Sequence, residues 1–332
     1  MTGRPRISVG LPPSKDIVAY ASVAEQLGYQ RVWLFDSPAL YGDVWMALGR
    51  VAEVVDIGLG TAVAVPSLRH PLVTASAIAT VEDLAPGRLV ATFGTGFTAR
   101  KAMGQRAMRW ADLATYVRQV RGLLAGDVVD VDGSACQMIH PPGWAPARPI
   151  DTPIWVAPSG PKGFATARDL GVDGVVLTGI PAPEHRGWKE SAMIVSGTVV
   201  RVGEDHTSER LVEAAGPWFG TAFHAAWEFF PGALDVMPGG AMWRERMLEA
   251  RPENERHLAV HEGHVTIMTD RDREAVVAAG PAILQSGWTG DAASIAARVD
   301  EAAIAGIDEL VYTPAGPDIP GELEAFAVAV AR

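Results

Sequence analysis

The 332-residue sequence predicts an α/β fold, a (β/α)8 TIM barrel in one domain spanning residues 1–332, with an insertion or lid over about residues 201–260 between strands seven and eight. Three observations predict it. A helix–glycine–strand unit recurs at residues 24–34, 167–177 and 303–312. Eight apolar, strand-like runs can be counted along the chain, and helical patterns link the first six. The first strand lacks the glycine-rich turn that an open doubly wound sheet places there, because Gly10-Leu11-Pro12-Pro13 has no such fingerprint.

The recurring unit has a physical logic. Each copy reads as the last turn of an amphipathic helix, then glycine, then a strand apolar on successive residues. Glycine takes the left-handed conformation that commonly ends a helix, and consecutive apolar residues suit a strand covered on both faces. Such links imply parallel β/α winding. The strands are read at Ile7–Leu11, Arg31–Asp36, Asp56–Val65, Arg88–Phe93, Pro153–Ala157, Gly174–Thr178, Met193–Val200 and Asp308–Thr313. Helices are read at Asp16–Leu27, Val44–Val54, Pro71–Leu84, Arg109–Leu124 and Lys162–Leu170. From Pro217 to His257 the pattern becomes helical pieces broken by Gly/Pro turns and rich in aromatics. That fits a cover over one end of the barrel.

Composition narrows the function. The formal net charge of -11 argues against nucleic acid and anionic membrane as partners, since both need a basic patch. No apolar run reaches membrane-spanning length. The N-terminal Met1-Thr2-Gly3-Arg4-Pro5-Arg6 leads straight into a strand without a secretory pattern, so a cytoplasmic protein is expected. The single Cys136 cannot form an internal disulfide and reads as a thiol in a loop. Nothing resembles the Gly-x-Ser-x-Gly of a hydrolase.

Barrel enzymes place function at strand C-termini, and several candidates lie there. Asp36, ending strand two, either caps the next helix or faces a bound ring. Strand three ends Leu59-Gly60-Thr61-Ala62-Val63-Ala64-Val65-Pro66, where a glycine and small residues permit a bulge or close backbone approach to a planar ligand. His70, before a Pro-initiated helix, is either a proton donor or that helix's cap. Gly94-Thr95-Gly96-Phe97 follows strand four, where two glycines let backbone N–H groups face an acceptor. Ser159-Gly160-Pro161-Lys162 opens a helix and suits a phosphate, with Thr178-Gly179 able to close on the same anion. His261-Glu262-Gly263-His264 lacks the i, i+4 histidine pair and a third ligand, so no metal is expected. His264 reads as a surface histidine or as a residue lining the substrate pocket.

Taken together, these segments resemble the luciferase-like superfamily, and within it the branch that uses the deazaflavin coenzyme F420. That branch includes methylene-tetrahydromethanopterin reductase and F420-dependent glucose-6-phosphate dehydrogenase. The resemblance is carried, in order, by Ala24–Asp36, Ile57–Val63, Arg69-His70-Pro71, Pro86-Gly87-Arg88, Gly94-Thr95-Gly96 and Ser159–Lys162. It implies that Asp36 and Gly94–Phe97 face the deazaflavin. It implies a non-prolyl cis peptide at Ala62-Val63 bulging toward the ring, and a phosphate-bearing tail held by Ser159–Lys162. It further implies a homodimer. The expected activity is hydride transfer that reduces a small organic molecule, with His70 or His264 as proton donor. Two positions depart from the sugar-phosphate dehydrogenases: Ser37 stands for their histidine and Phe97 for their glutamate, which puts sugar-phosphate oxidation in doubt and suits a less polar substrate. The rival readings are an FMN-dependent monooxygenase on the same barrel and a non-catalytic barrel that only binds cofactor.

Overall fold

The computed structural model describes residues 3–179 and 183–331; Met1 and Thr2, where the N-terminal reading began, lie outside them. Among the described residues no helix is long and apolar enough to cross a membrane. The described residues form ten strands: β1 (Arg6–Leu11), β2 (Arg31–Leu34), β3 (Gly58–Thr61), β4 (Leu89–Phe93), β5 (Val129–Val131), β6 (Ser134–Cys136), β7 (Ile154–Val156), β8 (Gly174–Thr178), β9 (Glu190–Ser196) and β10 (Glu309–Thr313). Eight of them close into a parallel barrel in the order β1-β2-β3-β4-β7-β8-β9-β10, with β10 pairing back to β1. The remaining two, β5 and β6, form an antiparallel hairpin.

The helices are α1 (Ile17–Gln26), α2 (Val44–Ala52), α3 (Pro71–Leu84), α4 (Phe97–Lys101), α5 (Trp110–Ala125), α6 (Gly160–Leu170), α7 (Glu209–Phe229), α8 (Gly240–Ala250), α9 (His257–Val260), α10 (Asp270–Ala279), α11 (Ala292–Ala305) and α12 (Ile319–Val330). Neighbours α1, α2, α3, α5 and α6 pack in sequence around the barrel, and α12 packs on α1 from the other side with α11 beside it. Among the described residues only a 3-10 turn, Pro183–His185, lies between β8 and β9.

Two tryptophans fill the barrel interior. Trp33 and Trp155 lie 5.7 Å apart, within a cluster that includes Val90, Val176, Ala192 and Val311. Room for the indoles comes from Gly60 and Gly174: a Cβ on either would stand 2.4 Å from the neighbouring tryptophan ring. The floor is polar. Fully buried Glu309 accepts hydrogen bonds from Trp33 Nε1 (2.7 Å) and Arg31 Nη1 (2.6 Å), so its charge is paired as burial demands.

Several boundaries differ from those read in sequence. The third strand stops at Thr61, because the chain turns away through Ala62–Ala64 and touches β4 again only at the single bridge Ala64–Phe93. Strand two ends at Leu34, strand seven runs Glu190–Ser196, and Cys136 closes β6 half-buried rather than sitting in a loop. The segment between β9 and β10 carries α7 to α10 around its own core, which includes Phe223, Trp243, Met247 and Val260. Pro217, the first residue of the aromatic-rich stretch, lies inside α7.

Candidate functional site at the strand C-termini

Five neighbouring strands, β2, β3, β4, β7 and β8, bring most of the candidates to one end of the barrel. Asp36, just past β2, is buried. Its Oδ2 accepts from Val65 N (3.0 Å) and from Arg69 Nη1 (2.7 Å), while the other Arg69 nitrogen binds Asp43 (2.7 Å). It is Asp43, not Asp36, that caps the following helix α2. Burial pushes the Asp36 carboxyl upward against the pull of Arg69 and the Val65 N–H. Its Oδ1 is buried with no hydrogen-bond partner within the protein, an exception among buried acceptors. Arg69, which orients this carboxylate, was not singled out from the sequence; its place in Arg69-His70-Pro71 was the only signal.

The peptide between Ala62 and Val63 is cis, where the resemblance placed it. Both residues are partly exposed at the strand end. The Gly94–Phe97 turn packs directly against them. A Cβ on Gly94 would lie 2.5 Å from Val63 Cγ2, and one on Gly96 would lie 2.3 Å from Val65 Cγ1. Gly96 also has φ +73, in the left-handed region, so glycine is required there twice over. Thr95 and Phe97 remain partly exposed above the turn.

Ala157 N donates to Phe93 O (2.9 Å), which sets the β7 loop beside the β4 turn. Ser159, Gly160, Pro161 and Lys162 are exposed at the N-terminus of α6, and Ser159 makes no side-chain cap, so the first N–H groups of the helix stay available to an anion. Thr178 and Gly179 are exposed at the end of the adjacent β8. A cleft of about 410 Å3 lies at the opposite end, near the start of β7, and holds none of the candidates.

The two histidines have different settings. His70 is exposed and caps α3: its Nδ1 accepts from Leu72 N at 3.2 Å. His264 is no surface histidine. It is half-buried with its Nδ1 2.9 Å from His224 Nδ1 and its Nε2 3.5 Å from Thr98 Oγ1, one residue beyond Phe97. The third ring of this group is buried His261, edge-on to Phe97. His224, on α7, supplies the partner that local spacing around His261 and His264 did not reveal. Burial drives all three rings toward the neutral form, His261 down to about 4.

A tight turn builds the histidine pair. His264 N donates to His261 O (3.0 Å) and Thr266 N to Gly263 O (3.0 Å). Gly263 sits at φ +71 where a Cβ would stand 2.4 Å from Ile267 O, so only glycine fits the turn. Tyr41 Oη donates to His264 O (2.5 Å) and ties the turn to the loop after β2.

The sequence profile described as luciferase-like monooxygenase matches residues 2–309. The chain belongs to this luciferase-like family. It is 34% identical over 202 residues to a 5,10-methylenetetrahydromethanopterin reductase from Methanolobus tindarius, covering 58% of each chain. It is 31% identical over 182 residues to an F420-dependent glucose-6-phosphate dehydrogenase from Beutenbergia cavernae, covering 49% of this luciferase-like chain and 52% of the relative. The chain thus spans little more than half the length of these relatives. The solved structure of the coenzyme F420 dependent tetrahydromethanopterin reductase from Methanopyrus kandleri superposes with a TM-score of 0.66 at 19% identity, over 99% of both chains. At that identity the likeness speaks for the fold.

Proposed function

We propose that this luciferase-like protein is an F420-dependent oxidoreductase acting on a small organic substrate at an electrophilic carbon, in the reducing direction. The observation that carries the reading is the packing of Asp36, Ala62–Val63 and Gly94–Phe97 into one strand-end surface, with an unpartnered carboxylate oxygen at its edge. The names of two relatives and of the superposed reductase support the choice of cofactor. When bound, a deazaflavin supplies hydride exchange at its C5 carbon.

The chain's own residues supply position, dryness and protons. Asp36 Oδ1 accepts from the ring system. Val63 packs closely against Gly94, where any side chain would clash, on the side of the strand ends that the ring would face. Phe97, stacked 4.9 Å from Phe229, offers an apolar face to substrate. The free N–H groups at Ser159–Lys162, with the Lys162 ammonium and Thr178-Gly179, hold the phosphate-bearing tail. His70 accepts from Leu72 N through Nδ1, so its neutral ring carries the proton on Nε2 and can donate it; His264 is the alternative donor. By the same reading the helices between β9 and β10 cover the substrate side and the protein works as a homodimer.

Mixing the purified chain with reduced F420 and a panel of imines, enones and pterins tests the reading by the return of oxidised-F420 absorbance. Oxidation by one or more members above the protein-free rate is the expected result. No oxidation by any member would overturn it.

A further inference from the structure

We propose that His224, His261 and His264 form a binding site for one divalent transition-metal ion of zinc type. The proposal goes beyond the oxidoreductase reading and stands without it. The three rings come from α7 and from the turn after α9, and their ligand atoms all lie within 4.8 Å of one another. Their centroids form a nearly equilateral triangle, with sides of 5.4, 5.2 and 5.3 Å. For three imidazoles bound to one tetrahedral ion through bonds of about 2.0–2.1 Å, the ring centroids fall roughly 5.2 Å apart. The ring centroids therefore already have the spacing of one face of a tetrahedral site, and ring rotation would bring ligand atoms now within 4.8 Å of one another to the roughly 3.3 Å separation that a shared ion needs.

Hydrogen bonding leaves the rings undersatisfied. The one contact inside the trio is His224 Nδ1 to His264 Nδ1 at 2.9 Å. His224 Nε2 and both nitrogens of His261 are buried without a hydrogen-bond partner. An unpaired buried polar atom costs about 1–3 kcal/mol, and the lone pair of neutral His261, buried with no donor, is one that a metal ion would take. A bound ion takes one nitrogen of His261 together with the two Nδ1 atoms, and it releases the ring–ring hydrogen bond as those two atoms separate to roughly 3.3 Å across a shared ion; His224 Nε2 and the second His261 nitrogen then carry the N–H of their rings.

Chemistry selects the class. Three neutral imidazoles suit zinc, copper, nickel or cobalt rather than magnesium or calcium, which prefer oxygen. The charged groups around the trio balance: Lys101 and Arg271 oppose Glu228 and Asp272. Glu228 Oε1 lies 3.9 Å from His261 Nε2, close enough to orient that ring once it binds. The trio leaves a fourth position open, the arrangement in which zinc keeps a water or a substrate atom. It stands next to Phe97 and Thr98. With an ion in place His264 becomes a ligand, and proton delivery falls to His70 or to ion-bound water.

The test needs no flavin or deazaflavin, so its outcome is independent of the cofactor reading. The whole chain is stripped with chelator, titrated with Zn2+ by calorimetry, and titrated with Co2+ by visible absorption. Expected are one equivalent bound with micromolar affinity or better, and intense tetrahedral Co2+ bands without a thiolate charge-transfer band. Cys136→Ser should leave binding unchanged, and His261→Ala and His264→Ala should each weaken it at least about a hundredfold. The Co2+ spectrum of the wild-type chain decides the matter even where a variant fails to fold. Substoichiometric binding, octahedral Co2+ bands, or full affinity in folded His261→Ala would overturn the site.

Discussion

Gly96→Ala is the perturbation that most sharply isolates the packing between the ends of β3 and β4. The new methyl would stand 2.3 Å from Val65 Cγ1, on a backbone with φ +73. The left-handed conformation costs a non-glycine residue about 1–2 kcal/mol, and forcing a methyl into a filled contact costs about 1–3 kcal/mol. The sum is roughly 2–5 kcal/mol of stability. Val65→Ala removes the clashing methyls; alone it destabilises by about 1–3 kcal/mol through the lost burial. In the double variant the steric part vanishes and the backbone part stays, so the two changes are coupled by about 1–3 kcal/mol. Urea denaturation followed by far-ultraviolet circular dichroism measures all four corners of this cycle. A loss below about 1 kcal/mol for Gly96→Ala, or strict additivity in the double variant, would refute the close approach.

Further expectations follow from the same geometry. Glu309→Gln leaves Arg31 facing a neutral amide under the barrel and should cost about 3–5 kcal/mol in denaturation. Because Glu309 lies at the end away from the candidate site, cofactor affinity should persist in the folded fraction, and loss of affinity without loss of stability would contradict that placement. Lys162→Ala, at an exposed position, should leave stability within about 0.5 kcal/mol. It should weaken F420 binding several-fold, an effect that disappears with a cofactor fragment lacking the phosphate. The Arg210 guanidinium holds the Glu204 carboxyl below its usual 4.5. The contribution of that pair is therefore present above pH 4.5 and is lost as pH falls through the lowered value. Wild-type stability should fall more steeply on acidification than that of Glu204→Gln, and parallel curves would count against the pair.

The barrel was legible because its signals are local. Gly171 and Gly306 end α6 and α11 in the left-handed conformation, as the helix–glycine–strand pattern required. The β5–β6 hairpin went unread although Asp132-Gly133, with φ 53 and 82, is a two-residue turn of the kind that joins antiparallel strands. Its strands are three residues each, too short for an alternating pattern to stand out. Pro217, where the aromatic-rich stretch was taken to begin, sits within the 21-residue α7, where packing in the second core overrides its local cost.

The strand-end residues could be named because barrels put function at strand C-termini, and the cis peptide because the family resemblance marked its position. What sequence could not supply was tertiary. Arg69 reaches back to Asp36 across 33 positions, and His224 meets His264 across 40. No spacing rule links residues that approach only when α7 folds over the turn at Gly263. For the same reason the absence of a third histidine near His261 and His264 in sequence was no guide to the absence of one in space.

The central claim, that these strand ends cradle a deazaflavin, is tested most directly by fluorescence titration of the purified chain with F420 and, in parallel, with FMN. The account predicts saturable F420 binding at micromolar concentrations and FMN binding weaker by at least about tenfold, a gap of about 1.4 kcal/mol. Equal or tighter binding of FMN, or no saturable binding of F420, would contradict it.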